Sequence, residues 1–292
     1  MSGVNSVSET GEMIVPPLSV PARATNGRGL GRWHNNALQI ASLIVCILLW
    51  HVLATHHVKL GFITFANVPA PIEVVHAAWD LFTSPKLAFH LFSSLWRIAI
   101  GFSIAGVLGI ALGLIIGHFA WAQNTLLPPL EVLRPIPAVA WIPLAILMFP
   151  SSEASMIYIT FIGALFPILL NTIHGVEHID ARLIASARSL GTQGFALFKE
   201  VIFPAAAPSI VTGLSIGMGT CWFCLVTAEM ISGQFGIGYY TWESYTLQNY
   251  ANIIVGMLLI GVLGMGSSAL IKQIGNWLMP WRRVQQKSGE QQ

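Results

Sequence analysis

Ionisable side chains inside apolar stretches are the residues of this sequence best suited to do chemistry. Glu131 and Arg134 lie three residues apart in one such stretch, and Glu229 ends another. A charge in apolar surroundings is costly unless it is paired or faces water, so these residues are candidates for binding or transport. The spacing of Glu131 and Arg134 also permits an ion pair along one helix face, so a structural role stays open as the alternative.

The composition shows what surrounds these charges. Of the 292 residues, 54% are hydrophobic and 9% are charged, whereas about a quarter are charged in a typical soluble domain. A water-facing surface cannot be built from so few charges, so much of the exterior must face lipid. The net charge of +2 gives no reason to expect nucleic-acid binding.

The segment that follows Arg134 is predicted to be a broken helix. Prolines at 135, 137 and 143 remove backbone donors and bend the chain. Irregular backbone at membrane depth is tolerated where it is buried in protein or lines a cavity. Arg134 and the residues up to Trp141 are therefore candidates to line or gate a path through the membrane, unless Arg134 serves only to hold the kinked helix together.

Glu229 is followed by the glycine-rich turn 233–238 and an aromatic cluster. One interpretation is a segment that re-enters the membrane and forms an outer gate containing Tyr239 and Trp242. The other is an interfacial aromatic belt next to a helix-end carboxylate. The residues alone do not decide between the two.

Residue types typical of enzymes and metal sites occur without a recognisable pattern. Cys221 and Cys224 form a C-x-x-C without a second ligand pair, so we interpret them as small apolar fillers. His118, His174 and His178 are spaced apart, and we expect no metal site there. The sequence contains no G-x-x-x-x-G-K-[S/T] phosphate loop, so we expect no catalytic residues, no ATP site and no cofactor in this chain.

Six apolar stretches are long enough to cross a bilayer, which takes about 20 residues. The predicted fold is therefore all-α and polytopic. An amphipathic segment at 72–82 is predicted to lie at the outer interface, with Trp79 as an anchor. Gly109, Gly113 and Gly117 share one helix face and predict a close contact with another helix. The predicted spans cover residues 37–55, 97–119, 126–149, 154–173, 208–231 and 251–273.

The distribution of Lys and Arg predicts the orientation. Ten of the fourteen lie in the first 36 residues, in the loop at 174–207 or from Lys272 onward. Positively charged segments stay in the cytosol, so both termini and this loop are predicted to be cytosolic. The opposite side is assigned Lys59, Lys86 and Arg97, with Arg134 inside a span.

The ends of the chain are polar. Residues 1–36 contain no apolar core, so we expect a disordered cytosolic tail and no cleavable signal peptide. The membrane domain is predicted to cover 37–279, and 280–292 to form a second cytosolic tail.

The loop at 174–207 is predicted to form two helices. Asp180 is a suitable N-cap and Gly191 a left-handed helix stop, while Thr192 is expected to cap a second helix that Pro204 ends. The loop carries more apolar residues than a solvated connector needs. It is therefore expected to dock into a partner.

Two motifs in this loop carry a family resemblance. Ala185-Ser-Ala-Arg-Ser-Leu-Gly191, followed by Ile202-Phe203-Pro204, resembles the EAA loop of permease subunits of bacterial ATP-binding-cassette importers. Ala185 departs from the Glu of that motif. The stretches 134–143 and 227–238 look like the subfamily that carries nitrate, bicarbonate, cyanate, taurine and alkanesulfonates.

The resemblance implies the type I importer permease fold, six membrane helices with a cytosolic coupling loop, in a bacterial inner (plasma) membrane. It implies separate ATPase subunits that bind ATP and Mg²⁺, a periplasmic or lipid-anchored binding protein, and a second permease chain. A homodimer is expected, with a pair of similar chains left open. An ion-coupled secondary transporter is the alternative function.

The resemblance also implies two sets of site residues. The residues that couple to the ATPase would be Ala185, Ser186, Ala187, Arg188, Leu190, Gly191, Ile202 and Pro204. The residues of the translocation path or gate would be Arg134, Trp141, Glu229, Tyr239 and Trp242.

Overall fold

The computed structural model describes residues 30–61 and 63–281 and is almost entirely helical there. A two-residue antiparallel pair, β1 (Lys59–Leu60) with β2 (Ile63–Thr64), is a small addition to the predicted all-α fold. The long helices are α1 (Leu30–Thr55), α3 (Pro85–His118), α6 (Ser152–Glu177), α9 (Phe203–Ser232) and α11 (Tyr250–Leu278). The shorter helices are α2 (Pro71–Thr83), α4 (Ala120–Leu133), α5 (Ile142–Met148), α7 (Ala181–Ser189), α8 (Gly194–Leu197) and α10 (Ile237–Thr246).

The chain divides into two units, with the boundary after Val52. The described part of the first unit is residues 30–52 of α1, and the first turns of that helix fall within the predicted tail 1–36. The rest of that tail, 1–29, and the predicted C-terminal tail from 282 onward lie outside the described residues. Side chains such as Leu38, Leu43 and Leu49 are largely exposed, as expected for a helix that faces lipid.

Five helical runs are long and apolar enough to cross a membrane, and a sixth span results if one bent pair is counted as one. The bent pair is α4 together with the helical turns at 138–148, which meet at 83°. The break falls at 134–137, where Pro135 and Pro137 remove the donors that a continuous helix would need. The polytopic all-α prediction is therefore confirmed.

Helix α6 lies at the centre of the second unit, between α3 and α9. The three glycines predicted to pack closely face α6. A Cβ on Gly113 would lie 2.6 Å from Thr172 Cβ, and the nearest α6 atoms to a Cβ on Gly109 and on Gly117 lie at 2.9 and 2.8 Å. On the other side, Gly163 of α6 receives the side chain of Cys224. Small residues let helix backbones approach where lipid offers no hydrophobic driving force.

The two cysteines of the C-x-x-C motif are buried in this core as free thiols. They pack with apolar side chains such as Ile168 and Leu225. This placement fits the interpretation of both residues as apolar fillers.

Candidate functional site

A buried ionic network joins the helices at the end of the bundle where α9 finishes. Arg97 of α3 is 2% exposed and Glu229, in the last turn of α9, is 0% exposed. The sequence analysis assigned Arg97 to the side opposite the 174–207 loop and did not expect its side chain to be buried. Taking a charge out of water is so costly that a buried pair persists only where further hydrogen bonds satisfy both groups.

The Glu229 carboxylate has a partner for each oxygen. Arg97 Nη1 donates to Glu229 Oε1 over 2.8 Å, and Ser94 Oγ donates to the same oxygen over 2.7 Å. The backbone N–H of Gly238 donates to Oε2 over 2.9 Å. The carboxylate therefore connects α3 to the first turn of α10.

The guanidinium of Arg97 is shared with a second carboxylate. Its Nε donates to Glu153 Oε2 over 2.9 Å, and its Nη2 donates to Glu153 Oε1. Its Nη1 also donates to the carbonyl oxygen of Phe235. The Glu153 side chain is 53% exposed, so the network extends from the core to the surface and joins α3, α6, α9 and the turn before α10.

Side chains of α3 and α9 bind the backbone N–H groups at the start of α10. The N–H of Gly236 donates to His90 Nδ1 over 3.1 Å, and the N–H of Ile237 donates to Ser94 Oγ over 2.9 Å. With Gly238 bound to Glu229, three consecutive N–H groups that an isolated helix start leaves unsatisfied all have partners. A negatively charged carboxylate at this position also complements the helix dipole.

Glycine is required at 236 by close approach. A Cβ there would lie 2.2 Å from Glu229 Cδ, so no other residue fits without displacing the carboxylate. The turn 233–236 is therefore in direct contact with the Glu229 carboxyl group.

The two predicted gate aromatics lie on α10. Tyr239 is half-buried and its ring stacks near His90, with centroids 6.4 Å apart, while Trp242 is exposed and lies next to Tyr245. The structure thus brings Glu229 and Tyr239 to one end of the bundle. It places Glu229 in an ion pair with Arg97 that the sequence interpretations did not contain.

Sequence reasoning missed Arg97, Glu153, Ser94 and His90. Arg97 begins the predicted span 97–119 and Glu153 directly precedes the predicted span 154–173, so an apolar count alone treats both as span ends. A usable signal was the i, i+4 and i+3 spacing of His90, Ser94 and Arg97, which places all three on one face of α3.

Arg134 lies at the break after α4, at the other end of the bundle. Arg134 and Glu131 are both exposed, and within residues 30–61 and 63–281 no ion pair joins them. The proposed structural pair is therefore not formed. Both side chains instead line a cavity of about 630 Å³ together with Asn171 and His174 of α6.

Trp141, predicted to share a path with Arg134, is not among the residues that line this cavity. It packs at the edge of the core formed by α3, α6 and α9. Its indole Nε1 is buried and has no hydrogen-bond partner among the described residues.

The loop at 174–207 has the first predicted helix, α7. The Asp180 carboxylate accepts from the Arg182 N–H over 2.9 Å, and Gly191 has φ +86°, as a left-handed helix stop requires. The second helix differs from the prediction. It begins at Gly194 after Gln193, so Thr192 is not its cap.

Pro204 does not end the second helix. A five-residue π-helical segment, Phe198–Ile202, links α8 directly to α9, and Pro204 lies in the first turn of α9. Proline has no N–H to donate, so Pro204 removes one backbone bond from the run at the point where the π-helical turn passes into α9. Residues Gly194–Ser232 therefore form one continuous helical run.

The loop has an anchored face and a free face. Leu197 and Ile202 are buried against the ends of the long helices, on Leu114, Val176 and Ile210. On the other face the exposed side chains are Leu190 at 86%, Phe195 at 77%, Ala185, Ser186 and Arg188. Ala187 is half-buried between the two faces.

Residues 107–284 match the family model described as "Binding-protein-dependent transport system inner membrane component". The matched region contains the 174–207 loop, the break at Arg134, and Glu229. The chain belongs to this family.

Relatives extend the likeness over most of the permease. The nitrate import permease protein NrtB of Synechocystis sp. is 33% identical over 82% of this chain and 88% of its own length. The putative aliphatic sulfonates transport permease protein SsuC of Escherichia coli is 39% identical over 70% and 78%, respectively. A putative ABC transporter permease of Methanocaldococcus jannaschii is 34% identical over 85% and 92%. The chain is an ABC transporter permease component rather than an enzyme.

Proposed function

We propose that this permease is the transmembrane subunit of an ATP-driven importer for a small anion of the nitrate, sulfonate, taurine or bicarbonate class. Its loop at 174–207 binds a separate ATPase, and both chain termini lie on the same cytosolic side as this loop. A substrate-binding protein delivers the anion to the opposite face, and a second permease chain, in the simplest case a second copy, completes the path.

The observation that carries the coupling role is the free face of the loop. Leu190 and Phe195 are among the most exposed large apolar side chains of the second unit, while the other face of the same loop is packed on α3, α6 and α9. Exposed apolar side chains on a loop whose other face is packed are suited to bind in a groove of another protein, and apolar contacts dominate such binding. Since Ala185 carries no charge, binding here depends on shape and apolar contact.

The anion class is supported by the relatives and by one side chain. The printed names of two relatives concern nitrate and aliphatic sulfonates. Arg134 is exposed to a cavity and has no carboxylate partner within the described residues, so its guanidinium is available for an anion. Glu131 and Glu177 line the same cavity and limit how negative its ligand can be.

The coupling role is tested by replacing apolar contacts on the free face. The double variant Leu190→Asp with Gly191→Asp, assembled with the ATPase encoded for this transporter, should lose co-purification of the ATPase and anion uptake. Leu247→Asp is the matched control for co-purification of the ATPase, because Leu247 is also highly exposed but follows α10, which does not belong to the loop. Normal ATPase binding by the double variant would overturn the proposal.

The secondary-transporter alternative predicts a different energy source. Uptake into proteoliposomes should require ATP hydrolysis and stop when orthovanadate traps the ATPase. Uptake that continues without ATP and follows a proton or sodium gradient would favour the alternative.

A further inference from the structure

The last turn of α6 and its C-cap bring three metal-ligating side chains together, although the sequence analysis took His174 and His178 to be spaced apart and expected no metal site there. His174, Glu177 and His178 each offer one ligand atom, and these atoms all lie within 4.8 Å of one another. Positions i, i+3 and i+4 share one helix face, and two histidines at i and i+4 are a common zinc-binding arrangement. We propose that these three residues form a binding site for a divalent transition metal of the zinc class, at the edge of the cavity that Arg134 lines, since His174 and Glu177 also line that cavity.

Two hydrogen bonds prepare the ligands. His178 Nδ1 lies 2.9 Å from the carbonyl oxygen of His174, so in the neutral ring Nδ1 holds the proton and Nε2 presents its lone pair. Gln123 Nε2 donates to Glu177 Oε1 over 2.8 Å, which orients the carboxylate and leaves Oε2 toward His174 Nδ1, 3.8 Å away. Such outer contacts are typical of metal sites and fix both ring orientation and carboxylate direction.

The geometry suits a metal site with three protein ligands and at least one coordination position left open. Ligands of tetrahedral zinc stand about 3.4 Å apart at bond lengths of about 2.1 Å. The three ligand atoms already lie within 4.8 Å of one another, so small side-chain adjustments of these exposed residues would bring them to that spacing. Two imidazoles and one carboxylate favour Zn²⁺, Ni²⁺ or Co²⁺ over Mg²⁺ or Ca²⁺, which prefer oxygen ligands alone.

The position of the site gives it a structural consequence. Glu177 is the last residue of α6 and His178 its C-cap, where the 174–207 loop leaves the helix. Gln123 belongs to α4. A bound metal would therefore fasten the end of α6 and, through Gln123, hold α4 against it.

The binding test uses the full chain in detergent with its affinity tag removed. Isothermal titration with Zn²⁺ should show one site per chain, and Co²⁺ should give the ligand-field absorption of a nitrogen-ligated centre. His174→Ala, His178→Ala and Glu177→Gln should each weaken Zn²⁺ binding at least about tenfold, and Gln123→Ala about tenfold. His118→Ala is the control, because His118 is also exposed and belongs to no such group.

A second measurement separates the site from surface adsorption. Zn²⁺ should raise the melting temperature of the wild-type chain and leave that of the triple variant His174→Ala, Glu177→Gln and His178→Ala unchanged, since only specific binding to the folded state stabilises it. Equal Zn²⁺ affinity in the wild type and the triple variant, or an equal loss in His118→Ala, would overturn the proposal. Neither result depends on anion transport.

Discussion

The guanidinium of Arg97 and the carboxylate of Glu229 lie 2.8 Å apart inside the bundle, although 132 residues separate them in the chain. Each also holds part of the segment before and at the start of α10, through the Phe235 carbonyl and the Gly238 N–H. The pair therefore connects α3, α9 and the start of α10 through hydrogen bonds.

Removing one member of this pair should destabilise the protein strongly. Glu229→Ala leaves Arg97 buried with only Glu153 as a counter-charge, and loss of one partner of a buried pair typically costs about 3–5 kcal/mol. The free energy of unfolding in mixed micelles measures the effect. Glu243→Ala, at an exposed position on α10, is the control and should change it by less than about 0.5 kcal/mol.

Removing both charges should cost less than the two single losses together. In Arg97→Met with Glu229→Leu no uncompensated charge from this pair remains, so the double variant should be more stable than Glu229→Ala. A double-mutant cycle on the same unfolding free energies tests this. If the two effects simply add, the ion pair contributes no specific coupling.

Gly236→Ala should disturb the same network without changing any charge. Its Cβ would overlap the Glu229 carboxyl group, so the carboxylate must shift away from Arg97 or the turn must open. We expect a loss of about 1–3 kcal/mol in stability and reduced anion uptake. Gly219→Ala, where a Cβ meets no atom within 4 Å, should be neutral or slightly stabilising.

Close packing of α3 on α6 predicts a further sensitive glycine. Gly113→Ala would place a methyl group 2.6 Å from Thr172 Cβ and 2.9 Å from the Leu169 carbonyl oxygen, so the two helices must separate. We expect a lower melting temperature and poorer membrane yield. Gly261→Ala on α11 has open space around its Cβ and should behave like the wild type.

The exposed guanidinium of Arg134 predicts a transport defect without a folding defect. Arg134→Ala should reduce anion uptake by the assembled importer at least about tenfold, the cost of one charge-assisted hydrogen bond, while its melting temperature stays unchanged. Arg134→Lys should retain part of the activity because the charge remains. Wild-type uptake by both variants would remove Arg134 from the path.

Much of the fold followed from composition and local pattern. Apolar length located the spans, prolines located the break at 134–137, and Asp180 and Gly191 located α7, because each of these features acts through nearby backbone. The glycine face of α3 predicted a close contact, and the structure identifies its partner as α6.

The candidate site was only partly predictable, because its contacts are distant in sequence. Nothing local to Arg97 indicates that Glu229 or Glu153 will reach it, and an apolar count places Arg97 and Glu153 at span ends. The continuity past Pro204 was also missed. Before Pro204 the chain forms a π-helical segment where a helix end was expected, and no single residue type specifies this backbone conformation.

The unbroken run Gly194–Ser232 has a mechanical consequence. At about 1.5 Å per residue it is roughly 55–60 Å long, more than the thickness of a bilayer. One end carries Phe195 on the free face of the loop, and the other carries Glu229 beneath α10. If the proposed ATPase pushes on the loop as it closes, the displacement would pass along this continuous helix to the residues that hold the start of α10, because the loop and Glu229 belong to the same helical run.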